Sequence, residues 1–330
     1  MSKIKALALF SGGLDSVLAM KLIIEQGVEV IALYIETGFG GKKETKEKQK
    51  ELEKIANQIG AKLKIVDIRE KYIQNILFNP KYGYGKNFNP CIDCHAYMIN
   101  VAKSLLDKMD AHFIISGEVV GQRPMSQRAD ALKKVNRLSE ADGLILRPLS
   151  AKLLPPTIPE TKRWVDREKL LDISGRSRER QLELAKKYGI KDYSPPAGGC
   201  LLTEEYFSKK IKDLIEHDKM EVEDIDILKF GRHFRLPKGA KLVVSRNKDE
   251  NDKLNSIESK KYIKFTLSLP GPISLISKES NIEDKKLAAK IALTYSKANP
   301  NETYEVKIGN EVFKESPFEE KNKTQEFFIK

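Results

Sequence analysis

Lys3-Ile4-Lys5-Ala6-Leu7-Ala8-Leu9-Phe10 runs straight into Ser11-Gly12-Gly13-Leu14-Asp15-Ser16 and then into Val17-Leu18-Ala19-Met20-Lys21-Leu22-Ile23-Ile24. The first segment alternates weakly and ends fully apolar, as a buried parallel strand does, and the last is an apolar helix that stops near Gly27. Val28 to Ile35 predicts a second strand, so the chain opens with a β-α-β unit. Its glycine turn lies at the carboxyl end of the first strand, the usual ligand position of an open α/β sheet. The rhythm continues outward. A charged helix over 42–59 places Leu52, Ile55, Ala56 and Ile59 at three- and four-residue spacings, and a strand follows over 63–68. A helix over about 97–108, a strand over 112–116, a helix over about 126–138 and a short strand over 144–147 complete the pattern. It predicts an α/β fold with a doubly wound, mostly parallel sheet.

Pro148, Pro155, Pro156 and Pro159 break that rhythm, a helix resumes over 177–188, and Pro195-Pro196-Ala197-Gly198-Gly199-Cys200 breaks it again. Beyond about Val222, short strands over 241–245, 262–267 and 305–308 surround a helix over 283–297, which predicts a smaller α+β domain. The expected division is a catalytic domain over 1–165, a connector over 166–221 carrying the third cysteine, and the α+β domain over 222–330. The last dozen residues, 319–330, are polar enough to fray. A chain of 330 residues, 40% hydrophobic and 32% charged, is globular, and collagen-like, low-complexity and wholly disordered classes are excluded. No apolar run approaches the roughly eighteen residues of a membrane helix, and no small-residue cleavage site follows Met1–Phe10, so a cytoplasmic protein without a membrane partner is expected. Three cysteines cannot form a paired disulfide framework.

Between a strand and a helix, Ser-Gly-Gly-x-Asp-Ser presents backbone N–H groups and hydroxyls at a helix N-terminus, where the dipole and unpaired donors favour phosphate. Gly12 and Gly13 permit close approach, Ser11 and Ser16 can donate, and Asp15 can orient Mg²⁺ or cap the helix. An ordinary capped turn is the competing reading. The sequence lacks Gly-x-x-x-x-Gly-Lys-Ser/Thr and Gly-x-Gly-x-x-Gly, which disfavours P-loop ATPase and dinucleotide sites. Ser11 to Ser16 resembles the PP-loop of the N-type ATP pyrophosphatases. The resemblance implies that ATP is cleaved between its α and β phosphates and that AMP activates a carbonyl oxygen. It implies that Phe10, Ser11, Gly12, Gly13, Asp15 and Ser16 hold the nucleotide's phosphates, with Asp15 catalytic, and that Tyr34 and Ile35 lie beside the adenine. Amide-forming synthetases, lysidine synthetase and tRNA thiolases share this loop, so the nucleophile stays open.

Cys91-Ile92-Asp93-Cys94 and the distant Cys200 are the whole thiol supply. They can ligate three irons of a [4Fe–4S] cluster and leave the fourth open, or carry a persulfide that a second cysteine releases as a disulfide. Zinc would need His95 or an acid as a fourth ligand, and plain packing of the three thiols is the remaining reading. The PP-loop, the Cys-x-x-Cys about eighty residues on and the third cysteine together look like the cluster-dependent tRNA thiolases. The resemblance implies that Cys91, Cys94 and Cys200 are catalytic and hold the cluster. Ser116-Gly117-Glu118-Val119-Val120-Gly121-Gln122-Arg123-Pro124-Met125-Ser126-Gln127 is similar, with one residue more between Gln122 and Ser126, to the Gly-Glu-x-x-Gly-Gln-x-x-Ser-Gln segment of ThiI-type tRNA 4-thiouridine synthases. Leu146-Arg147-Pro148-Leu149 resembles their Arg-Pro-Leu. In this resemblance Gly117 and Gln122 join the nucleotide site, and Arg123 and Ser126 share that second loop. The chain departs from the pattern in showing no THUMP-like region ahead of the loop and no rhodanese-like tail, so sulfur source and tRNA contacts are not carried over.

The net charge of +12 sits mostly in residues 1–200, which hold 34 basic and 24 acidic residues. It is densest over 121–191, and a polyanionic partner competes there with an ordinary solvated face. Residues 229–305, with Phe230-Gly231-Arg232-His233-Phe234-Arg235 and Pro270-Gly271-Pro272, look like the NFACT-R RNA-binding domain. Arg232, His233, Arg235, Lys238, Lys241 and Arg246, with Phe230 and Phe234, are expected to supply phosphate contacts and stacking surfaces. Arg123, Arg128, Arg232 and Arg235 are the expected RNA contacts. The reading is an ATP-dependent tRNA sulfurtransferase making 4-thiouridine, using ATP, Mg²⁺ and a [4Fe–4S] cluster, with tRNA and a sulfide or persulfide donor as partners and a homodimer allowed. A 2-thiouridine synthase, an amidating ligase and a non-catalytic RNA-binding module are the alternatives.

Overall fold

The computed structural model describes residues 4–41, 45–194 and 199–329. The helix start expected at residue 42 and most of the proline–glycine break at 195–200 lie outside the described residues. The chain divides into two compact units, Met1–Thr203 and Glu204–Lys330.

In the first unit the elements run β1 (Lys5–Leu9), α1 (Leu14–Ile24), β2 (Glu29–Glu36), α2 (Thr45–Asn57), β3 (Lys62–Asp67), α3 (Arg69–Tyr72), α4 (Cys91–Ser104), β4 (Phe113–Ser116), α5 (Ala129–Ser139), β5 (Ile145–Leu146), α6 (Ile158–Thr161) and α7 (Glu179–Lys187). The five strands form one sheet in the order β3-β2-β1-β4-β5, every pair parallel. The chain reverses its direction of winding on either side of β1, which opens a crevice at the carboxyl ends of β1 and β4. This is a doubly wound α/β fold. Helix α1 is apolar almost all round because the sheet and α7 enclose it; Leu14, Val17, Leu18, Ala19, Met20 and Ile23 are buried.

Helix α4 starts at Cys91, six residues before the expected position. Pro90 sets the turn, the Cys94 N–H donates to the Pro90 carbonyl at 2.8 Å, and Asp93 occupies the first turn. The Cys-x-x-Cys pair therefore lies on a helix, and Cys91 and His95 fall one turn apart on the same face.

The expected connector does not stand apart. Leu171 and Ile173 donate to the carbonyls of Pro148 and Leu149, Gly175 donates to that of Val120, and Ser194 donates to that of Gly12, all at 2.8–3.0 Å. Residues up to Thr203 thus fold onto the first unit, and the unit boundary lies near 203 rather than at 165 and 221.

The second unit contains α8 (Glu205–His217), α9 (Val222–Lys229), β6 (Arg232–Arg235), β7 (Lys241–Val244), α10 (Lys248–Ser256), β8 (Tyr262–Phe265), β9 (Ser274–Ser277), α11 (Ile282–Thr294), β10 (Tyr304–Ile308) and β11 (Glu311–Glu315). An antiparallel sheet in the order β6-β7-β9-β8 and the β10-β11 hairpin pack against α11 around Phe234, Leu242, Ile276, Ile291 and Ile308. The tail expected to fray is instead pinned. Phe328 packs on Phe234 with ring centres 4.5 Å apart, and the Ile329 N–H donates to the His233 carbonyl.

Candidate active site

The glycine turn is shaped by contacts that only glycine tolerates. Gly12 has φ +79°, and a Cβ there would stand 2.8 Å from both Leu52 Cδ2 and Ser194 Oγ. Gly13 caps α1 without any side-chain partner, so Asp15 is not the helix cap. The Ser11 hydroxyl accepts from the Gly13 N–H at 3.3 Å, Ser16 Oγ donates to the Gly13 carbonyl at 2.7 Å, and the two hydroxyls are 3.4 Å apart. Gly117, at the end of β4, presses against this turn; a Cβ there would lie 2.7 Å from Ser16 N and Cα. Its role is close approach between the two strand ends.

Asp15 is the centre of a polar cluster. Its Oδ2 accepts from Gln122 Nε2 at 2.6 Å and lies 3.5 Å from Arg178, while Gln181, fully buried on α7, donates to Gln122 Oε1 at 3.0 Å. The expected nucleotide residue Gln122 is therefore tied to the loop's own carboxylate. Asp15 Oδ1, Arg178 Nε and Gln181 Oε1 are buried without a hydrogen-bond partner. Such groups are expensive to leave unpaired, and a free carboxylate oxygen beside an anion-binding turn fits Mg²⁺, whose ligands are oxygens. Gln181 escaped sequence reading because nothing in its local pattern distinguishes it from any polar helix residue. Phe10, Tyr34 and Ile35 are buried at the strand ends, and Tyr34 donates to Glu36 at 3.3 Å. Burial and the Glu36 charge raise the Tyr34 phenol, which stays neutral.

One residue beyond Gly117, the same segment reaches the sulfur. Glu118, 5% exposed, is gripped by Arg147 at 2.8 Å and by His95 Nδ1 at 2.8 Å, and accepts from Ser116 Oγ at 3.0 Å. Arg147 is itself 3% exposed, so this is a buried pair joining the Gly-Glu and Arg-Pro segments. Burial works against the Glu118 charge, but Arg147 foremost and His95 next bring its carboxyl down to about 2. His95 in turn hydrogen-bonds Cys91. Burial alone would raise the Cys91 thiol; the hydrogen bond and charge of His95, with Ser126 and Asn89, outweigh it and hold the thiol below its usual range. Cys94 differs, because burial pushes it up to about 12 against the influence of His95 and a hydrogen bond to Tyr72. Tyr72 is buried, shares a hydrogen bond with Cys94 and feels the charge of Cys91 and Cys200 as well, so all three thiols lie within electrostatic reach of one phenol. Cys200 is held there by its neighbour Leu201, which donates to the Phe39 carbonyl, and by Thr203 Oγ1 on the Cys200 carbonyl.

Residues 1–152 match the sequence family described as "Thiamine biosynthesis protein (ThiI)", and residues 231–327 match the family described as "NFACT protein RNA binding domain". Over residues 1–152 the chain is thus similar to the ThiI family, and over 231–327 to the RNA-binding one. The tRNA-specific 2-thiouridylase MnmA of Cytophaga hutchinsonii is 36% identical over 138 residues, covering 38% of this chain and 37% of that relative. The probable tRNA sulfurtransferase of Thermococcus kodakarensis is 29% identical over 176 residues, covering 52% of this chain and 40% of the relative. This chain thus matches about two fifths of the length of each of these curated relatives. Among solved structures, the U34-tRNA thiolase NcsA from Methanococcus maripaludis with its [4Fe–4S] cluster aligns over 64% of this chain and 65% of its own at 18% identity, with a TM-score of 0.36, too slight a likeness to argue from.

Thiolates are the usual ligands of iron–sulfur clusters, so the donor chemistry here suits one. All three thiols act on Tyr72, and among the described residues no three His, Cys, Asp or Glu groups are arranged to hold a metal ion. In a cluster each thiolate takes its own iron. Cys91, Cys94 and Cys200 are the residues that would hold it.

In the second unit, the side chains expected to meet RNA are mostly committed inside. Phe230, His233, Phe234 and Lys241 are buried, so neither ring offers a stacking face. Arg235 pairs with Asp213 at 2.7 Å, Lys241 with the same carboxylate at 3.2 Å, and Arg246 with Glu250. Arg232 lies half-buried over the Tyr295 ring, its centre 4.4 Å away, and donates to the Ser245 carbonyl. The short alternation of basic and aromatic residues is a half-buried strand, β6, whose polar groups are internal ties. Arg123 and Arg128, in the first unit, are exposed.

Proposed function

We propose that this protein is an ATP-dependent tRNA sulfurtransferase that converts a uridine carbonyl to a thiocarbonyl, with 4-thiouridine as the product. One observation carries the reading: the dipeptide Gly117-Glu118 touches the phosphate-type turn at Ser16 with one residue and anchors the partner of Cys91 with the next. Activation and sulfur delivery therefore have a common wall. ATP binds with its phosphates on Ser11–Ser16, the uridine oxygen attacks the α-phosphorus, and pyrophosphate departs into the turn, where N–H donors stabilise its charge; Asp15 would hold Mg²⁺, which when bound would supply further charge neutralisation. Sulfur then attacks the activated carbon and AMP leaves with the former carbonyl oxygen. Gln122 and Arg178 hold Asp15 in place, and Glu118 and Arg147 fix the His95 ring against Cys91. When bound to Cys91, Cys94 and Cys200, a [4Fe–4S] cluster would supply an open iron for sulfide. The 117–127 segment favours 4-thiouridine over 2-thiouridine.

A persulfide route is the second reading, supported by the contrast between the two neighbouring thiols. Cys91 is held toward thiolate while Cys94 is kept protonated, as suits one sulfur carrier and one later resolving partner. Anaerobic purification, iron and labile-sulfide analysis, and mass analysis of nucleosides from treated tRNA decide between them. About four irons per chain, lost in each of Cys91→Ala, Cys94→Ala and Cys200→Ala together with thiolation but not ATP binding, is the expected result. Full thiolation by Cys200→Ala would end both sulfur routes.

A further inference from the structure

Beside the thiols lies a stretch for which the chemistry above has no use: Phe78-Asn79-Pro80-Lys81-Tyr82-Gly83-Tyr84-Gly85-Lys86-Asn87-Phe88. Among the described residues four large aromatic side chains are exposed, and three of them are here: Phe78 at 36%, Tyr82 at 37% and Tyr84 at 41%. Clustered apolar surface of this kind marks a contact site more often than an ordinary face.

The stretch is built and held. The buried Asp93, between Cys91 and Cys94, accepts from the backbone N–H groups of Lys81 at 2.6 Å and Tyr82 at 3.1 Å. At its other end the Phe88 N–H donates to the Leu202 carbonyl at 3.1 Å and Asn87 Nδ2 to the Thr203 carbonyl at 2.9 Å, which ties it to the segment of Cys200. Asn87 pays for this turn with φ +55°, a left-handed conformation that a non-glycine residue adopts at a cost. Inside the loop, Phe88 is the hub: its ring centre is 4.9 Å from that of Tyr84 and 5.9 Å from that of Phe78. The Tyr84 hydroxyl donates to the Leu77 carbonyl at 2.8 Å, and Met125 lies across Gly85 so closely that a Cβ there would meet its Cε at 2.7 Å. The rings are thus presented at fixed angles by both arms of the cysteine site.

Cations accompany them. Lys134 Nζ sits 5.6 Å from the centre of the Tyr82 ring, and Lys81, Lys86, Arg123 and Lys133 are exposed on the loop itself or on the segments beside Met125 and Lys134. Asp130 offsets Arg128 and part of Lys134. Flat apolar faces mixed with positive charge match the chemistry of unpaired nucleobases on a phosphate backbone, which stack on aromatic rings while lysine and arginine neutralise the chain.

We infer that the loop over 78–88 is a stacking platform for an unpaired nucleobase of the RNA substrate, holding it beside the three cysteines. This rests on the tRNA-thiolation reading and adds to it the surface on which the RNA is opened or kept open.

The test uses the full chain with a labelled tRNA transcript, followed by anisotropy, and a 5-bromouridine transcript for photocrosslinking. The Tyr82→Ala/Tyr84→Ala double variant should bind tRNA about tenfold or more weakly with ATP binding intact. Tyr82→Phe/Tyr84→Phe, which keeps the rings and gives up the Tyr84 bond to Leu77, should stay within about twofold of wild type. Crosslinks on the wild-type protein should map to the 78–88 peptide. Equal tRNA binding by the alanine pair, an equal loss in the phenylalanine pair, or crosslinks confined to other peptides would overturn the platform. If the alanine pair binds tRNA normally but no longer accepts sulfur from a donor protein, the rings dock that donor and the inference is wrong. A wild-type chain that binds and thiolates no tRNA removes the thiolation reading, and the platform with it; thiolation at full rate by the alanine pair removes only the platform.

Discussion

His95 in the first unit is half-buried and His233 in the second fully buried, and their surroundings drive them in opposite directions. His95 lies between Glu118 and Cys91, and although burial would lower its value, those two partners raise it well above 6.5. His233 is fully buried, donates from Nε2 to the Phe230 carbonyl at 2.7 Å, and has Nδ1 without a partner. Burial first, then the charges of Lys210, Lys241 and Arg246, push it well below 6.5. Burial disfavours the charged form of both, so the sign of the neighbouring charge decides. The lesson extends to the units themselves. In the first, ionised groups line up toward the thiols and leave Asp15 with an unpaired oxygen; in the second, Asp213, Arg235 and Lys241 saturate one another and Lys210 closes on the Leu228 carbonyl. One set of charges is gathered beside the thiols, the other fastens helix to sheet.

The strongest way to break this contrast is Glu118→Gln. It leaves Arg147 buried without its counter-charge, and removing one partner of a buried pair costs about 3–5 kcal/mol. Chemical denaturation of the full chain should show that loss in the transition of the first unit, and a change under about 1 kcal/mol would mean the pair is not an anchor. Asp213→Asn in the second unit should cost less, about 1–3 kcal/mol. Lys241 is already brought down to about 8, chiefly by burial, and can shed its proton when Asp213 is neutralised, whereas Arg147 cannot. A larger loss for Asp213→Asn than for Glu118→Gln would reverse the assignment of the two clusters.

Much of this arrangement was legible in the sequence. The β-α rhythm and the Ser-Gly-Gly-x-Asp-Ser turn carry the parallel sheet and its ligand end, because strand burial and glycine approach leave local traces. Less was visible where distant backbone groups decide the structure. Nothing local announces that Ser194 will donate to Gly12, so the 166–203 stretch reads as a connector while it is part of the first unit. Likewise Phe230-Gly231-Arg232-His233-Phe234-Arg235 has the composition of an RNA-binding face, and only the placement of Asp213 and Tyr295 shows that most of its charge and both rings are used internally. The 78–88 stretch reverses that error: its two asparagines, two glycines and one proline look like an ordinary turn, and Asp93 with Leu202 makes it a fixed display of rings. Phe327, Phe328 and Ile329 were outweighed by their polar neighbours, although three apolar residues suffice to dock a tail.

The smallest effect is also the most direct comparison of the two histidines. Above pH 6.5 His233 is neutral whether folded or unfolded, and its contribution to stability is fully present. As pH falls below 6.5 the unfolded chain takes up a proton that the folded site refuses, so stability falls, by at most about 1.4 kcal/mol per pH unit for this one group. His95 has the opposite sign: its contribution is fully present below 6.5 and is lost only as pH rises through its higher folded value. Hydrogen exchange, corrected for the intrinsic pH dependence of the amide reaction, should therefore lose protection between pH 7 and pH 5 in peptides of β6 and β7 but not, through its histidine, in those of α4. His233→Gln, which keeps a neutral donor for the Phe230 carbonyl, should flatten the profile of the second unit. If wild type and His233→Gln decline together, the buried imidazole is taking up its proton in the folded state, and the cations around it are farther away in effect than their positions indicate.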